Sequence, residues 1–255
     1  MSAWTPCRRI WTSVLVVAAG KRRRSRPLAT QRLALGVLYD RLVELYGKPK
    51  PQRALPPLDE LVLTILSQNT TDTNRDRAWG QLRQRYPDWQ GVAVAPLRHL
   101  EDALQPGGLQ RVKARRIQET LCRVYEQRGA YDLDHLGEIG LDAARAELSD
   151  IKGLGAKSVN CILLFSLRLE AFPVDTHVYR VLHRLDIHRQ RDLGRANDEL
   201  QAAVPAGKAF PLHVNIIRHG RQICHARRPE CWRCGIEDLC GYDDKSVEPP
   251  ASTRR

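Results

Sequence analysis

The chain has 255 residues, enough for one large domain or two small ones with a hydrophobic core. Its hydrophobic content of 42% and charged content of 27% are ordinary for a globular protein, and no apolar run approaches the ~20 residues of a membrane span. With 41 Lys and Arg against 29 Asp and Glu, the net charge of +12 favours a polyanionic partner, nucleic acid before acidic lipid; the alternative is a basic surface without a role.

The N-terminal segment is basic. Arg8 and Arg9 precede a mostly apolar stretch over 10–19, and an intensely basic stretch follows over 21–26. This order resembles a weak signal peptide, but a basic stretch behind the apolar residues opposes export. We therefore interpret residues 1–27 as a disordered basic arm or a mis-assigned start, with a targeting segment as the less favoured alternative.

Helical periodicity dominates the rest of the chain, and strand-like alternation is nearly absent. Gly and Pro residues interrupt the pattern, as in the Pro-rich link over 49–57. The predicted helices cover 33–45, 58–66, 73–85, 97–104, 112–127, 141–148, 156–169, 175–185 and 193–204. We expect an all-α protein of about ten short helices that ends in a flexible tail over 244–255.

A glycine turn separates two of these helices. Gly153 and Gly155 flank Leu154, so backbone amides in the turn can point outward while Leu154 packs inward between the helices. Such amides bind phosphate, although an ordinary helical hairpin with a glycine turn is the alternative.

A second polar feature opens the helix predicted after residue 174. The segment reads Val-Asp-Thr-His, with Asp175 at the helix start. Taken alone, Asp175 is a plain helix N-cap.

Four cysteines lie close together near the C-terminus with the spacing C-x6-C-x2-C-x5-C. Thiolates select zinc, copper(I) or an iron–sulfur cluster, and a single short knuckle with outlying cysteines suits a cubane cluster. Zinc is the main competitor on spacing alone, and a disulfide pair with spare thiols is the less favoured alternative. The four residues are Cys224, Cys231, Cys234 and Cys240. Cys7, Cys122 and Cys161 remain unpaired, consistent with a reducing compartment.

With the hairpin, the Val-Asp-Thr-His segment and the cysteines in this order, residues 28 to 243 closely resemble the endonuclease III family of DNA glycosylases. These are helix–hairpin–helix enzymes with a Gly/Pro-rich loop and a catalytic aspartate. The cysteine spacing is that of the family's cluster loop, and the resemblance therefore implies a 4Fe-4S cluster on the four cysteines.

The resemblance also implies a mechanism. Lys157 matches the family lysine that attacks C1′ of the damaged nucleoside and forms a Schiff base, which permits β-elimination at an abasic site. Asp175 matches the essential aspartate, whose carboxylate can stabilise oxocarbenium character at C1′. We expect removal of oxidised pyrimidines from double-stranded DNA, with abasic-site lyase activity, by a monomeric cytoplasmic, nucleoid-associated enzyme without a membrane partner.

A base inside a duplex must be extruded before such chemistry, so the family inserts side chains into the gap. Asn69, beside Gln68, corresponds to the family's polar inserting residue, where the best-known bacterial members carry Gln, and Leu109 corresponds to the apolar wedge. Gln110, Arg111 and Val112 depart from the usual wedge loop, and Lys152 replaces the usual hairpin proline, which leaves lesion and opposite-base preference open. The remaining predicted DNA contacts are Gly153, Gly155 and Arg228, the last in the basic segment between the first two cysteines.

Three alternatives remain. The adenine-excising branch of the superfamily needs a catalytic glutamate at a position aligned with Thr64 and lacks the hairpin lysine, so it fits poorly. A monofunctional or mismatch (thymine or uracil) glycosylase is not excluded by the Asn69 region. A non-catalytic iron–sulfur DNA-binding protein would not need both Lys157 and Asp175.

The family architecture implies two helical domains around a DNA cleft. Residues 50–169 would form a six-helix domain with the hairpin, and residues 28–49 with 170–243 would form the cluster domain.

Overall fold

The computed structural model describes residues 26–51 and 53–248, and this part of the chain contains eleven α-helices and no β-strand. The predicted all-α class is therefore confirmed. The helices are α1 (Leu28–Tyr46), α2 (Pro57–Ser67), α3 (Asp72–Arg85), α4 (Trp89–Val94), α5 (Leu97–Leu104), α6 (Gln110–Arg128), α7 (Leu141–Ser149), α8 (Ala156–Cys161), α9 (Thr176–Arg184), α10 (Leu193–Ala203) and α11 (Ala209–Gln222). None of them is long and apolar enough to cross a lipid bilayer.

Local sequence signals explain where several helices begin and end. Pro57 opens α2, where its missing N–H costs nothing. The side chain of Thr71 accepts a hydrogen bond from the Asn74 amide at the start of α3. Gly129 ends α6 at φ 70°, and its N–H donates to the Tyr125 carbonyl at 2.7 Å.

The core is built around α2, which is apolar on most of its surface. Leu58, Leu61, Val62, Ile65 and Leu66 are each at most 2% exposed, and the helix packs against α3, α6 and α8. A helix with so wide an apolar surface is stable only when neighbours cover it. Its last turn is consequently held in a fixed place, with Ile65 and Leu66 in the core.

Helix α1 packs against α10 and α11, which lie more than 140 positions later in the sequence. Polar contacts support this packing: the Asn215 amide donates to the Gly47 carbonyl at 3.0 Å, and Arg32 donates to the Ala202 carbonyl at 2.9 Å. The division into residues 50–169 and residues 28–49 with 170–243 stays a prediction.

The structure differs from the sequence analysis in three of its elements. Helices α4 and α11 were not predicted. The helix predicted over 156–169 ends at Cys161, and one π-helical turn, Ile162–Ser166, continues it.

The predicted ends of the chain are described only in part. Residues 1–25 and 249–255 lie outside the described residues. Arg26, assigned to the basic arm, forms an ion pair with Asp186 at 2.7 Å. Ser246, assigned to the tail, accepts a hydrogen bond from the Cys231 amide at 3.0 Å and so contacts the cysteine segment.

Candidate functional site

A cleft of about 770 Å³ lies where α2, α8, α9 and α11 meet. Both predicted catalytic residues, Lys157 and Asp175, line it. The other charged or titratable residues in its wall are Glu60, Asp72, Arg75, Cys161, His177, His213, Arg218 and Arg221. The cleft thus brings an amine from α8 and a carboxylate from the start of α9 to one concave surface that also carries other charged side chains.

Asp175 is held in place by its role as the N-cap of α9. Its Oδ1 accepts a hydrogen bond from the Val178 amide at 2.7 Å, and its backbone is extended at φ −92°. This is the plain cap that the sequence predicts, and it fixes the side chain at the edge of the cleft. A carboxylate fixed in this way needs no reorganisation when positive charge develops nearby.

Lys157 lies on the first turn of α8, one turn before Cys161. Burial raises the pKa of the Cys161 thiol, and the Lys157 ammonium beside it opposes that rise. Lys157 and Cys161 both line the cleft, so the lysine lies beside a buried thiol in the cleft wall.

His213, from α11, lies close enough to both predicted catalytic residues for their charges to affect its pKa. Burial lowers its pKa to about 4, with Asp175 opposing the shift and Lys157 adding to it. Its Nδ1 lies 2.9 Å from the Pro173 carbonyl, so Nδ1 carries the proton and the ring is neutral. His213 was missed because no helix was predicted over α11.

A buried amide lies behind the cleft. Asn160, 1% exposed, donates to the Phe172 carbonyl and to Asn197 Oδ1, each at 3.2 Å, and Oδ1 accepts from Arg145 at 3.3 Å. Asn160 follows Lys157 by three residues, and Phe172 precedes Asp175 by three. This one side chain therefore joins the segments that carry the two predicted catalytic residues.

Helix α2 contributes Glu60 and Thr64 to the cleft wall. Burial raises the pKa of Glu60, and the cations Arg75 and Lys157 oppose the rise. Thr64, 5% exposed, occupies the position at which the adenine-excising alternative requires a glutamate. Glu60 was also missed by the sequence analysis, since a carboxylate in the first turn of a helix is usually a helix-dipole contact.

Two loops carry the predicted inserting residues. The Asn69 loop (residues 68–71) follows α2, and the Leu109 loop (residues 105–109) precedes α6. Asn69 and Leu109 both have φ 52°, in the left-handed region, which asparagine tolerates but which costs roughly 1–2 kcal/mol for a residue such as leucine. Leu109 is 51% exposed, so its side chain is accessible from outside the protein.

The hairpin turn joins α7 to α8. Gly153 has φ 91°, and a Cβ on it would lie 2.9 Å from Arg116 Nε, so only glycine fits. Gly155 has φ −88° and precedes α8 without a side-chain cap, which leaves the first amides of that helix without a side-chain partner there. Arg228, at φ 52°, lies on the exposed loop between Cys224 and Cys231.

The four cysteines border a single small pocket together with apolar side chains such as Ile223 and Ile236. Arg184 donates to Cys224 Sγ at 3.2 Å, and His219 Nε2 lies 3.6 Å from Cys234 Sγ. Burial raises the pKa of Cys234 to about 11, and the charges of the other three thiols add to the shift.

Four thiols around one pocket provide a soft donor set for a cationic centre, because their thiolates repel one another when nothing lies between them. The described residues contain no group of three or more His, Cys, Asp and Glu side chains arranged to hold a single metal ion.

Comparison with known proteins agrees with this geometry. The family model for HhH-GPD superfamily base excision DNA repair proteins matches residues 62–205. A relative from Arabidopsis thaliana is 36% identical over 168 residues. This match covers 66% of this chain and 57% of the relative's length. Endonuclease III of Escherichia coli K12 is 33% identical over 74% of this chain and 85% of its own.

Solved structures give the same result. A non-covalent endonuclease III–DNA complex superposes with a TM-score of 0.68 at 26% identity, over 82% of this chain and 95% of that chain. A trapped endonuclease III–DNA covalent intermediate superposes with a TM-score of 0.69 at 26% identity, with the same coverage. The chain therefore belongs to the HhH-GPD superfamily of base excision DNA repair proteins, as an endonuclease III-like DNA glycosylase.

Proposed function

We propose that this enzyme removes oxidised pyrimidines from duplex DNA and then cleaves the abasic site through a Schiff base on Lys157. The observation that carries the proposal is the convergence of Lys157 and Asp175 on one cleft, with Asp175 oriented by the start of α9. An amine beside a fixed carboxylate is the minimum required for displacement at C1′ by a protein nucleophile.

The bond changes follow from those two groups. The Lys157 amine attacks C1′, the bond from C1′ to the base breaks, and the base leaves with the electron pair and takes up a proton. Asp175 stabilises the positive charge at C1′ and accepts the proton that the attacking amine loses. The C1′–O4′ bond then breaks, O4′ takes the electron pair and a proton, and an iminium forms on the lysine nitrogen. The iminium loses a 2′ proton and expels the 3′ phosphate, and water releases the lysine.

The relatives support this chemistry. One solved endonuclease III was trapped as a covalent intermediate with DNA, which is the type of species that a lysine nucleophile forms. Lys157 also lies in the part of the chain that the family model matches. We expect the active species to be a monomer bound to double-stranded DNA that contains a damaged base or an abasic site.

DNA contacts are proposed for the hairpin and both loops. The amides near Gly153 and Gly155 would bind phosphate, and Asn69 and Leu109 would fill the gap left by the extruded nucleotide. Gln68 would support Asn69 from the same loop.

We further propose that Cys224, Cys231, Cys234 and Cys240 hold a 4Fe-4S cluster. Four thiolates with N–H donors directed at their sulfurs, as from Arg184, fit such a group. When bound, the cluster supplies a rigid cross-link. The loop between Cys224 and Cys231 would then be held in shape, so that Arg228 can face phosphate.

Borohydride trapping tests the proposed function. The substrate is a duplex with one thymine glycol, the control is the undamaged duplex, and a covalent adduct is expected on the damaged duplex alone. Lys157→Ala should bind the duplex and form no adduct, whereas Lys152→Ala, which changes an exposed lysine of the same hairpin, should still form it.

The alternatives predict different results. An adduct with Lys157→Ala would exclude Lys157 as the nucleophile. If wild type gives no adduct but releases uracil or thymine from a mismatch, with strand cleavage only after alkali, the enzyme is a monofunctional mismatch glycosylase. Tight binding without base release from any of these duplexes would indicate a non-catalytic DNA-binding protein.

A further inference from the structure

A buried lysine lies between the two loops that carry Asn69 and Leu109. Lys113 is only 3% exposed, and its ammonium donates to the Leu66 carbonyl at 2.7 Å and to the Gly107 carbonyl at 2.8 Å. Its backbone N–H donates to the Leu109 carbonyl at 3.0 Å. One residue therefore bonds to the end of α2, directly before the Asn69 loop, and to two positions in the Leu109 loop.

The surroundings of Lys113 are built for this arrangement. Burial lowers the pKa of its ammonium, and its hydrogen-bond partners in the described part of the chain are backbone carbonyls. Leu66 lies in the last turn of α2, where the helix dipole is negative and attracts a cation. A Cβ on Gly107 would lie 3.1 Å from Ala78, so the close approach of the Leu109 loop to the core depends on a glycine.

Arg116, one turn further along α6, extends the same connection. Its Nη1 donates to Gln68 Oε1 at 2.7 Å, which ties the Asn69 loop to α6 from a second direction. Its guanidinium also packs against Gly153 in the hairpin turn. The N-terminal half of α6 thus contacts three segments for which DNA contacts are proposed: the Asn69 loop, the Leu109 loop and the hairpin turn.

We propose that Lys113 is a positioning residue that sets the spacing between the Asn69 and Leu109 loops, so that both enter the base stack when a nucleotide is extruded. The proposal rests on the DNA contacts proposed above for Asn69 and Leu109. Arg116 has the same role for the Asn69 loop, through Gln68.

The physical argument concerns the size of the gap. An extruded nucleotide leaves one base-sized opening, and two inserted side chains stabilise the open duplex only when both reach that opening together. The Asn69 loop has no regular secondary structure, the Leu109 loop has only one 3-10 turn at Gln105–Gly107, and each loop has a non-glycine residue at positive φ. The hydrogen bonds of Lys113 therefore maintain a spacing between the Asn69 and Leu109 loops that the loops alone would not keep.

The experiment uses a duplex with a tetrahydrofuran abasic-site analogue and 2-aminopurine as the opposite base. Tetrahydrofuran cannot form a Schiff base, so the measurement does not depend on the lyase chemistry, and its outcome is separate from that of borohydride trapping. Fluorescence rises when 2-aminopurine leaves the stack, and anisotropy of a labelled strand gives the affinity independently.

We expect wild type to bind and to raise the fluorescence. Lys113→Met keeps the length of the side chain but cannot donate, so it should bind within about 3-fold of wild type, because phosphate contacts dominate affinity. Its fluorescence rise at saturation should fall about 5-fold. Arg115→Met removes an exposed cation from the same helix and should behave as wild type.

A full fluorescence rise with folded Lys113→Met would overturn the proposal, and so would equal losses with Lys113→Met and Arg115→Met. If Lys113→Met does not melt cooperatively, Arg116→Met decides, because Arg116 is half-buried and its loss leaves the core intact. A rise of about half the wild-type value with Arg116→Met supports the proposal, and a full rise overturns it.

Discussion

Replacing Asp175 separates its structural role from its proposed catalytic role. Asp175→Asn removes the charge but keeps an oxygen that can accept the hydrogen bond from the Val178 amide, which is 2.7 Å long in the wild-type protein. Asp175→Ala removes both the cap and the charge. If the carboxylate serves catalysis, the two variants should lose activity equally and stability unequally.

The magnitudes follow from the structure. Loss of an N-cap side chain costs about 1 kcal/mol, and loss of a negative charge at a helix start costs about 0.5 kcal/mol. Asp175→Ala should therefore lower the free energy of unfolding by about 1.5 kcal/mol, and Asp175→Asn by about 0.5 kcal/mol. For a chain of this length, those losses correspond to decreases in Tm of about 3–6 °C and about 1–2 °C.

The expected loss of activity is much larger. Removing a group that stabilises transition-state charge typically costs about 100- to 1000-fold in rate. Single-turnover base release from the thymine glycol duplex should fall by that factor for both variants. Binding to a tetrahydrofuran duplex should stay close to wild type, because phosphate contacts determine it.

Two results would refute this reasoning. A rate for Asp175→Asn within about 3-fold of wild type would mean that the aspartate acts as a cap and no more. A loss of rate that follows the loss of Tm across the two variants would mean that misplacement of α9, and not the missing charge, slows the enzyme.

Three further predictions concern the hairpin, the cysteines and the buried histidine. Gly153→Ala should lower Tm by about 4 °C or more, because the backbone φ of 91° and the contact with Arg116 both oppose a Cβ. Gly155→Ala should change Tm by less than about 1 °C, because Gly155 has φ −88° and open space where the Cβ would lie. Equal effects of the two substitutions on Tm would contradict the turn geometry. Cys224→Ala should abolish visible cluster absorption and destabilise the predicted cluster domain more than the other, so thermal transitions equal to those of wild type would contradict it. Because the pKa of His213 is lowered from 6.5 to about 4, the neutral ring contributes stability that is complete above about pH 6.5 and is lost as the pH falls towards 4. On acidification, the free energy of unfolding of wild type should therefore decrease by up to about 3 kcal/mol more than that of His213→Gln. Parallel plots of unfolding free energy against pH for the two proteins would show that His213 does not contribute.

The sequence predicts best those elements whose signals are local. Helix α2 shows a strong apolar pattern after Pro57, and α9 begins at a residue that is also its cap. The cysteine spacing likewise identifies four residues that border one pocket. In each case the physical cause acts within a few residues, so it can be recognised without knowledge of the fold.

Helix α11 could not be predicted in the same way. Its buried face includes His213, Asn215 and His219, which weaken the apolar periodicity, and Pro211 lies in its first turn. These polar residues are tolerated inside because partners distant in sequence accept or donate their hydrogen bonds, as the Gly47 carbonyl does for Asn215. The cleft wall formed by α11 was therefore missed with the helix.

Pairings across the fold are equally invisible in the sequence. Nothing local indicates that Arg116 donates to Gln68 or that Lys113 is buried, since a run of basic residues on a helix usually lies in solvent. The positive φ of Leu109 likewise has no signal in its residue type, since leucine rarely adopts that region.

The buried amide of Asn160 has an energetic consequence for DNA binding. Because Asn160 on α8 donates to the Phe172 carbonyl, the backbone segments that carry Lys157 and Asp175 are already joined in the free enzyme. Free energy released on contact with phosphate is then not consumed in assembling the proposed reactive pair, and it can offset the cost of unstacking a base. An undamaged base, which resists extrusion most, would be rejected at that step, before any bond to the sugar is at risk.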